Sequence, residues 1–359
     1  MITGKHTPSV LAAGCLIVCI ALSGCDSSSF SRCSAGPDVF DEDIQVWAVG
    51  VDGSNRRVVF DDWINPSIVS DGLMGVSVTA DTVFVTHGYS NANVSLLLPA
   101  AGRIRPLYAE EGIAAFALSP SRNRYVFIRN GVELWLAATD GTPPTKLAEG
   151  HYLRRPIWVS DSLIAYERYA SYSSSGGEVL TLDLADGTTE QILDISTHGF
   201  AISRNGATLA FASGDSLYVK HSTDSAGRAV APGRDPRLTP DGIHLAYFVG
   251  EPVSKHRQLR LATLGGSLNQ LLAEGSIDGP LLIDSDGQFL IARVDDEIRR
   301  IDIPVGTATV LARIGDHPTI GRYENWQQRL SFGDIVLAND DSTIYYLLTN
   351  DLYSGGGSC

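Results

Sequence analysis

Residues 235–248 read DPRLTPDGIHLAYF: a short run, a Pro-Asp-Gly corner at 240–242, then an alternation ending in aromatic residues. Alone this is a β-hairpin signal, because glycine takes the positive φ that a tight turn needs. Whether it is a local turn or one of a series decides the fold, and it is one of a series. Similar corners open SPSRNRYVFIRN (119–130), ISRNGATLAFAS (202–213), DSDGQFLIARVD (284–295) and NDDSTIYYLLTN (339–350).

A second kind of turn lies between these, a glycine flanked by short apolar runs, at Gly53, Gly102, Gly141, Gly187, Gly227, Gly266 and Gly306. The successive spacings are 49, 39, 46, 40, 39 and 40. Each unit reads strand, tight turn, strand, loop, strand, glycine turn, strand. Four antiparallel strands per ~40 residues is the unit of a β-propeller blade. A helical solenoid is excluded, since no 3.6-residue apolar period survives between the turns. A β-sandwich gives no reason for the glycines to keep their register over seven units. The fold expected is all-β, a seven-bladed β-propeller.

The strand order also says how the ring closes. The stretch 334–350, DIVLANDDSTIYYLLTN, supplies only strands a and b of a unit, and 44–60, IQVWAVGVDGSNRRVVF, supplies only strands c and d. Joined, they form the last blade and leave no open edge. Cys33 and Cys359 flank that composite blade near one rim, so a disulfide between them would lock the closure. Two free or intermolecular thiols on flexible tails is the alternative.

The TPDG corner followed by LAY, with Asp286-Gly287 and Asn205-Gly206 in neighbouring units, resembles the WD40-like repeat of the TolB-type periplasmic propellers. The resemblance covers about 44–353. The family's N-terminal α/β domain has no counterpart, because 26–43, DSSSFSRCSAGPDVFDED, is a Ser-rich acidic linker. Prolyl-oligopeptidase-type enzymes have similar blades, but their hydrolase domain and its G-x-S-x-G elbow are missing here.

The N-terminus sets the expected address. An apolar run, VLAAGCLIVCIALSGC (10–25), follows Lys5 and His6 and is too short for a comfortable membrane span. It ends in Leu22-Ser23-Gly24-Cys25, which resembles the lipobox of bacterial lipoproteins and implies cleavage before a lipidated Cys25. LAAGC ending at Cys15 and an ordinary secretory signal with a chance cysteine are the rival readings. The layout expected is signal peptide 1–24, lipidated cysteine and linker 25–43, propeller 44–353 and tail 354–359. The location expected is the cell envelope, lipid-anchored and facing the periplasm, with Asp26 favouring the inner membrane. Of 359 residues 44% are hydrophobic, and the net charge is -14 with only four lysines. Such a surface repels nucleic acid.

Function is expected on the face carrying the b–c and d–a loops, which are long and variable, as in 61–75, 86–93, 168–177, 250–258 and 315–332. Residues just before three innermost strands should ring the channel mouth: Arg154-Arg155, His198-Gly199 and Arg234-Asp235. Arg154, Arg155, His198 and Arg234 form a candidate pocket for a carboxylate or other anion, with Asp235 beside them as the internal counter-charge that an unliganded arginine would take. His317, Tyr323 and Trp326 are the candidate rim contacts. The partner expected is an envelope protein or peptide with an anionic group, bound by a monomer without catalysis. The alternative is a carbohydrate-active enzyme resembling polysaccharide lyases, with a metal held by histidines of the same face. The histidines are single residues on different blades, with no H-x-H or C-x-x-C cluster, no EF-hand loop, P-loop or dinucleotide fingerprint. No catalytic residue, metal site or cofactor is therefore assigned.

Overall fold

The computed structural model describes residues 39–62, 73–76, 83–87, 93–98, 103–108, 113–171, 177–195, 199–250, 256–317, 326–338 and 340–354. Apart from one 3-10 turn at Ile314–Asp316, every regular element among them is a strand. The strands form five four-stranded antiparallel sheets and one of seven strands. In the seven-stranded sheet Asn269–Ile283 serves twice, first as the outer strand of one unit and then, from Ile277 on, as the inner strand of the next.

Taken as four-stranded units, these are blade 1 (73–108), blade 2 (113–149), blade 3 (152–195), blade 4 (200–232), blade 5 (234–276), blade 6 (277–313) and blade 7. Blade 7 is composite. Trp326–Leu337 is its inner strand, Thr343–Ser354 its second, and Val39–Gly50 and Arg57–Asp62 its third and fourth. The N-terminal strands thus pair onto the C-terminal ones, with Val46 opposite Leu347 and Ala48 opposite Tyr345. This is the closure read from the sequence, on strands longer than those marked out: Val39–Gly50 begins before residue 44, and Trp326 starts a strand instead of lying in a loop.

The core lies between the blades. Period-2 alternation sends odd and even residues of each strand to opposite neighbours. In blade 4, Leu217 and Val219 pack with Leu245 and Tyr247 of blade 5, while Phe211 and Phe200 pack with Val159 and Val179 of blade 3. The a–b corners share one device that keeps this stack in register. Ser119, Ser203, Thr239 and Asp284 are all buried, and each side-chain oxygen accepts the backbone N–H five residues on, from Arg124, Thr208, His244 and Phe289. Four turns are thereby closed at a point where water is absent, and their polar groups stay satisfied. Burial raises the pKa of Asp284, the one carboxyl in this set; the N–H bonds it accepts oppose the shift without cancelling it.

Candidate functional site

The inner strands of blades 3, 5 and 6 enter the channel through a register break, at Arg154/Ile157, Arg234/Arg237 and Asp278/Leu282. The extra residue in each is turned into positive φ: Arg155 at 48°, Asp235 at 50° and Gly279 at 79°. Each precedes a proline. Non-glycine residues hold this conformation only where the surroundings impose it. The break aims Arg155 and Asp235 away from the sheet and toward the mouth.

Blade 4 contributes Gly199, φ 111°, at the corresponding place. A Cβ there would lie 2.5 Å from Arg155 Nη1 and 3.5 Å from Asp235 Oδ1. The missing side chain is therefore the space through which the Arg155 guanidinium of blade 3 reaches across blade 4 toward blade 5. On its own blade Arg155 Nη1 stands 3.8 Å from Oε1 of Glu167, a carboxylate only 1% exposed. The Tyr169 hydroxyl donates to the other oxygen of Glu167 at 3.1 Å. Beyond Gly199, Asp235 Oδ2 lies 3.8 Å from Arg257 Nη1. Charges thus alternate across three blades: Glu167, Arg155, Asp235, Arg257.

Arg237 adds a further cation from the inner strand of blade 5. It is exposed yet ringed by protein, the environment of a channel wall, and desolvation lowers its pKa, Asp235 opposing and Arg155 reinforcing the shift. A guanidinium so placed stays charged and presents forked N–H donors to an incoming anion.

The other expected residues have different surroundings. Arg154 lies over the Tyr152 and Tyr169 rings, 4.6 and 5.4 Å from their centroids, and its Nη2 donates to the Tyr152 hydroxyl at 3.2 Å. Its pKa is raised chiefly by that hydrogen bond. Arg234 pairs with Asp215 on the b–c turn of blade 4. His317 is not a rim contact, because it is 6% exposed inside blade 7. Its Nε2 meets the Tyr346 hydroxyl at 2.8 Å, its Nδ1 meets the Arg313 carbonyl at 2.8 Å, and Trp47 packs edge-on at 4.7 Å. Trp326 opens the inner strand of blade 7, opposite Ser354. His198, Tyr323, Cys25, Cys33 and Cys359 lie outside the described residues. Among the described residues no three His, Cys, Asp or Glu side chains come together to hold a metal.

No family model matches the sequence, and no curated protein does. Solved structures match in shape. An oligogalacturonate lyase in complex with manganese is 14% identical with a TM-score of 0.58, over 80% of this chain and 90% of that one. The oligogalacturonate lyase from Vibrio parahaemolyticus is 12% identical with a TM-score of 0.55, over 88% and 98%. TolB from Acinetobacter baumannii is 14% identical with a TM-score of 0.42, over 78% and 86%. The chain is a β-propeller. The TolB-type likeness of its repeats stands at the level of that fold, and at these identities the likeness extends no further.

Sequence reading missed Glu167, Arg237 and Arg257. Two of them left a trace: Glu167 interrupts the apolar run of LIAYERY, and Arg237 sits in an inner strand where a small or apolar residue is the norm. Arg257 follows a loop and carries no such mark.

Proposed function

We propose that this propeller is a non-catalytic binding module of the bacterial cell envelope, tethered by lipid on Cys25 after removal of residues 1–24, which receives an anionic group of a protein or peptide at the loop-side mouth of its channel. The observation that carries the reading is the convergence of Arg155, Arg237 and Arg257 from two blades across the bare backbone of Gly199. A carboxylate entering there meets forked N–H donors already oriented by Glu167 and Asp235, so little side-chain freedom is lost on binding. Arg154, Arg234 and His198 are further candidates to receive the anionic group, with Tyr323 and Trp326 as candidate rim contacts. No helix among the described residues is long and apolar enough to cross a membrane, in keeping with attachment through the N-terminus, facing the periplasm from the inner membrane. Cys33 and Cys359 pair in the oxidising compartment this address implies, and the propeller acts as a monomer.

The test is titration of the purified propeller with a labelled library of acidic peptides, repeated for Arg155→Ala. Affinity should fall at least tenfold in the variant while its melting temperature stays within a degree or two. Equal affinity, or a large loss of stability, would make Arg155 a structural residue. A second reading, a polysaccharide lyase working at the same mouth, draws on the shared fold with the manganese-bound lyase. Stoichiometric manganese after gentle purification, with cleavage of a uronate polymer, would replace the first reading by this one.

A further inference from the structure

On the opposite, tight-turn side of the ring, two of six equivalent backbone positions lack the apolar side chain that the other four carry. They are Thr139 in blade 2 and Ser222 in blade 4, and beside Ser222 a cavity opens. In six blades the residue that follows the third strand donates its N–H to the carbonyl just before the second strand. The pairs are Val51 to Ser342, Thr139 to Asn123, Leu184 to Ser162, Ser222 to Ala207, Leu264 to Ile243 and Ile303 to Gln288. The backbone position is the same each time. In four of them the side chain is a plug: Val51, Leu184, Leu264 and Ile303 each pack into the core shared with the preceding blade.

Blade 4 has Ser222 there, too small and polar to fill the seam with blade 3, and a cavity of about 280 Å³ opens at that seam. The glycine of the neighbouring corner reports the same looseness. A Cβ on Gly206 meets only Val159 Cγ1 of the preceding blade at 3.6 Å, whereas one on Gly242 or Gly287 meets its preceding blade at 3.1 Å, at Ser203 and Thr239. Val159, Leu163, Ile192, Ile202 and Leu209 make its apolar walls. Lys220, two residues before Ser222 and so on the same face of its strand, lines it and donates to the Ile192 carbonyl at 3.3 Å. An ammonium has three N–H donors, so this bond fixes the head while leaving it able to take an anion.

We propose that this seam is a binding site for a small apolar carboxylate, whose hydrocarbon part occupies the place of the absent plug and whose carboxylate meets Lys220. The volume is close to the lower end of the ~300–1,000 Å³ range of small-molecule sites. Apolar walls around Lys220 suit such a ligand. The remaining lining is polar, with Thr181, Gln191, His221 and Ser222. The Glu190 carboxylate opposes an anion, so the ligand's carboxylate must sit on the Lys220 side. The site is independent of the channel mouth.

The experiment is calorimetric titration with octanoate, using octanol as the uncharged probe. Wild type should bind octanoate saturably and octanol at least tenfold more weakly, and Lys220→Met should remove that preference. Ser222→Leu, which restores the plug, should abolish binding and raise the melting temperature of the unliganded protein. Ala207→Leu fills the same space from the corner and should also abolish binding, so the result stands even if Ser222→Leu fails to fold. No binding by wild type, or undiminished binding by the filled variants, would overturn the proposal. Equal affinity for octanol would overturn the role of Lys220.

Discussion

Tyr346→Phe isolates one hydrogen bond at the point where the two ends of the chain meet. Tyr346 is 0% exposed in the second strand of blade 7, and its hydroxyl meets His317 Nε2 at 2.8 Å. The Arg313 carbonyl faces Nδ1, so Nδ1 carries the proton and Nε2 accepts from the tyrosine. Phenylalanine keeps the ring and its edge-on contacts with His317 at 5.7 Å and Phe332 at 5.5 Å. What is lost is one buried bond, worth about 1 kcal/mol net, together with the cost of leaving Nε2 without a donor; the sum is about 1–3 kcal/mol. Urea unfolding near pH 8 measures it, with tryptophan fluorescence as the signal, since Trp47 lies 4.7 Å from the His317 ring. The midpoint should fall with the slope unchanged. A midpoint equal to wild type would refute the reasoning that this pair holds the closing blade.

Three other outcomes are expected. Burial lowers the His317 pKa, outweighing the opposing carbonyl contacts at Arg313 and Ile314, with nearby Arg56 lowering it and Asp316 raising it. The folded state thus binds a proton less readily than the unfolded chain, and stability is lost as pH falls below about 6.5, by up to about 1.4 kcal/mol per pH unit; His317→Gln should remove that part of the slope in melting temperature against pH. The raised pKa of Asp284 works in the opposite sense: its contribution is lost as pH rises through the folded value. Asp284→Ser, which copies Ser119 and Ser203, should gain on wild type in calorimetric scans as pH goes from 4 to 7, and a constant difference would contradict this. Gly199→Val places atoms where Arg155 Nη1 now sits and strains a backbone at φ 111°; it should cost more peptide affinity than Arg155→Ala, and unchanged affinity would show that Arg155 does not use that space.

The architecture was legible because it is written many times over. A corner such as Asp241-Gly242 is weak alone, but its recurrence with a second glycine turn between leaves few folds to choose from, and the half-units at either end say where the ring is joined. The site was legible only in outline. Arg155 and Asp235 were found because the residue before each inner strand repeats in register. Their behaviour depends on a register break and on the absence of a side chain at Gly199, neither of which has a sequence signature. His317 was misplaced for a related reason: a histidine after an outer strand reads as a loop residue until Tyr346 and Trp47, far away in the chain, are seen to enclose it. The empty seam at Ser222 has meaning only when set against Leu264 and Ile303 at the same backbone position.

The most direct test of the central claim is capture from mildly solubilised membranes by the full-length lipidated protein, comparing wild type with an Arg155→Ala/Arg237→Ala double variant of matched melting temperature. A defined partner retained by wild type and released by the double variant, and by raised salt, is the predicted result. The same partner held equally by both proteins would place recognition elsewhere on the propeller and contradict the assignment of the mouth.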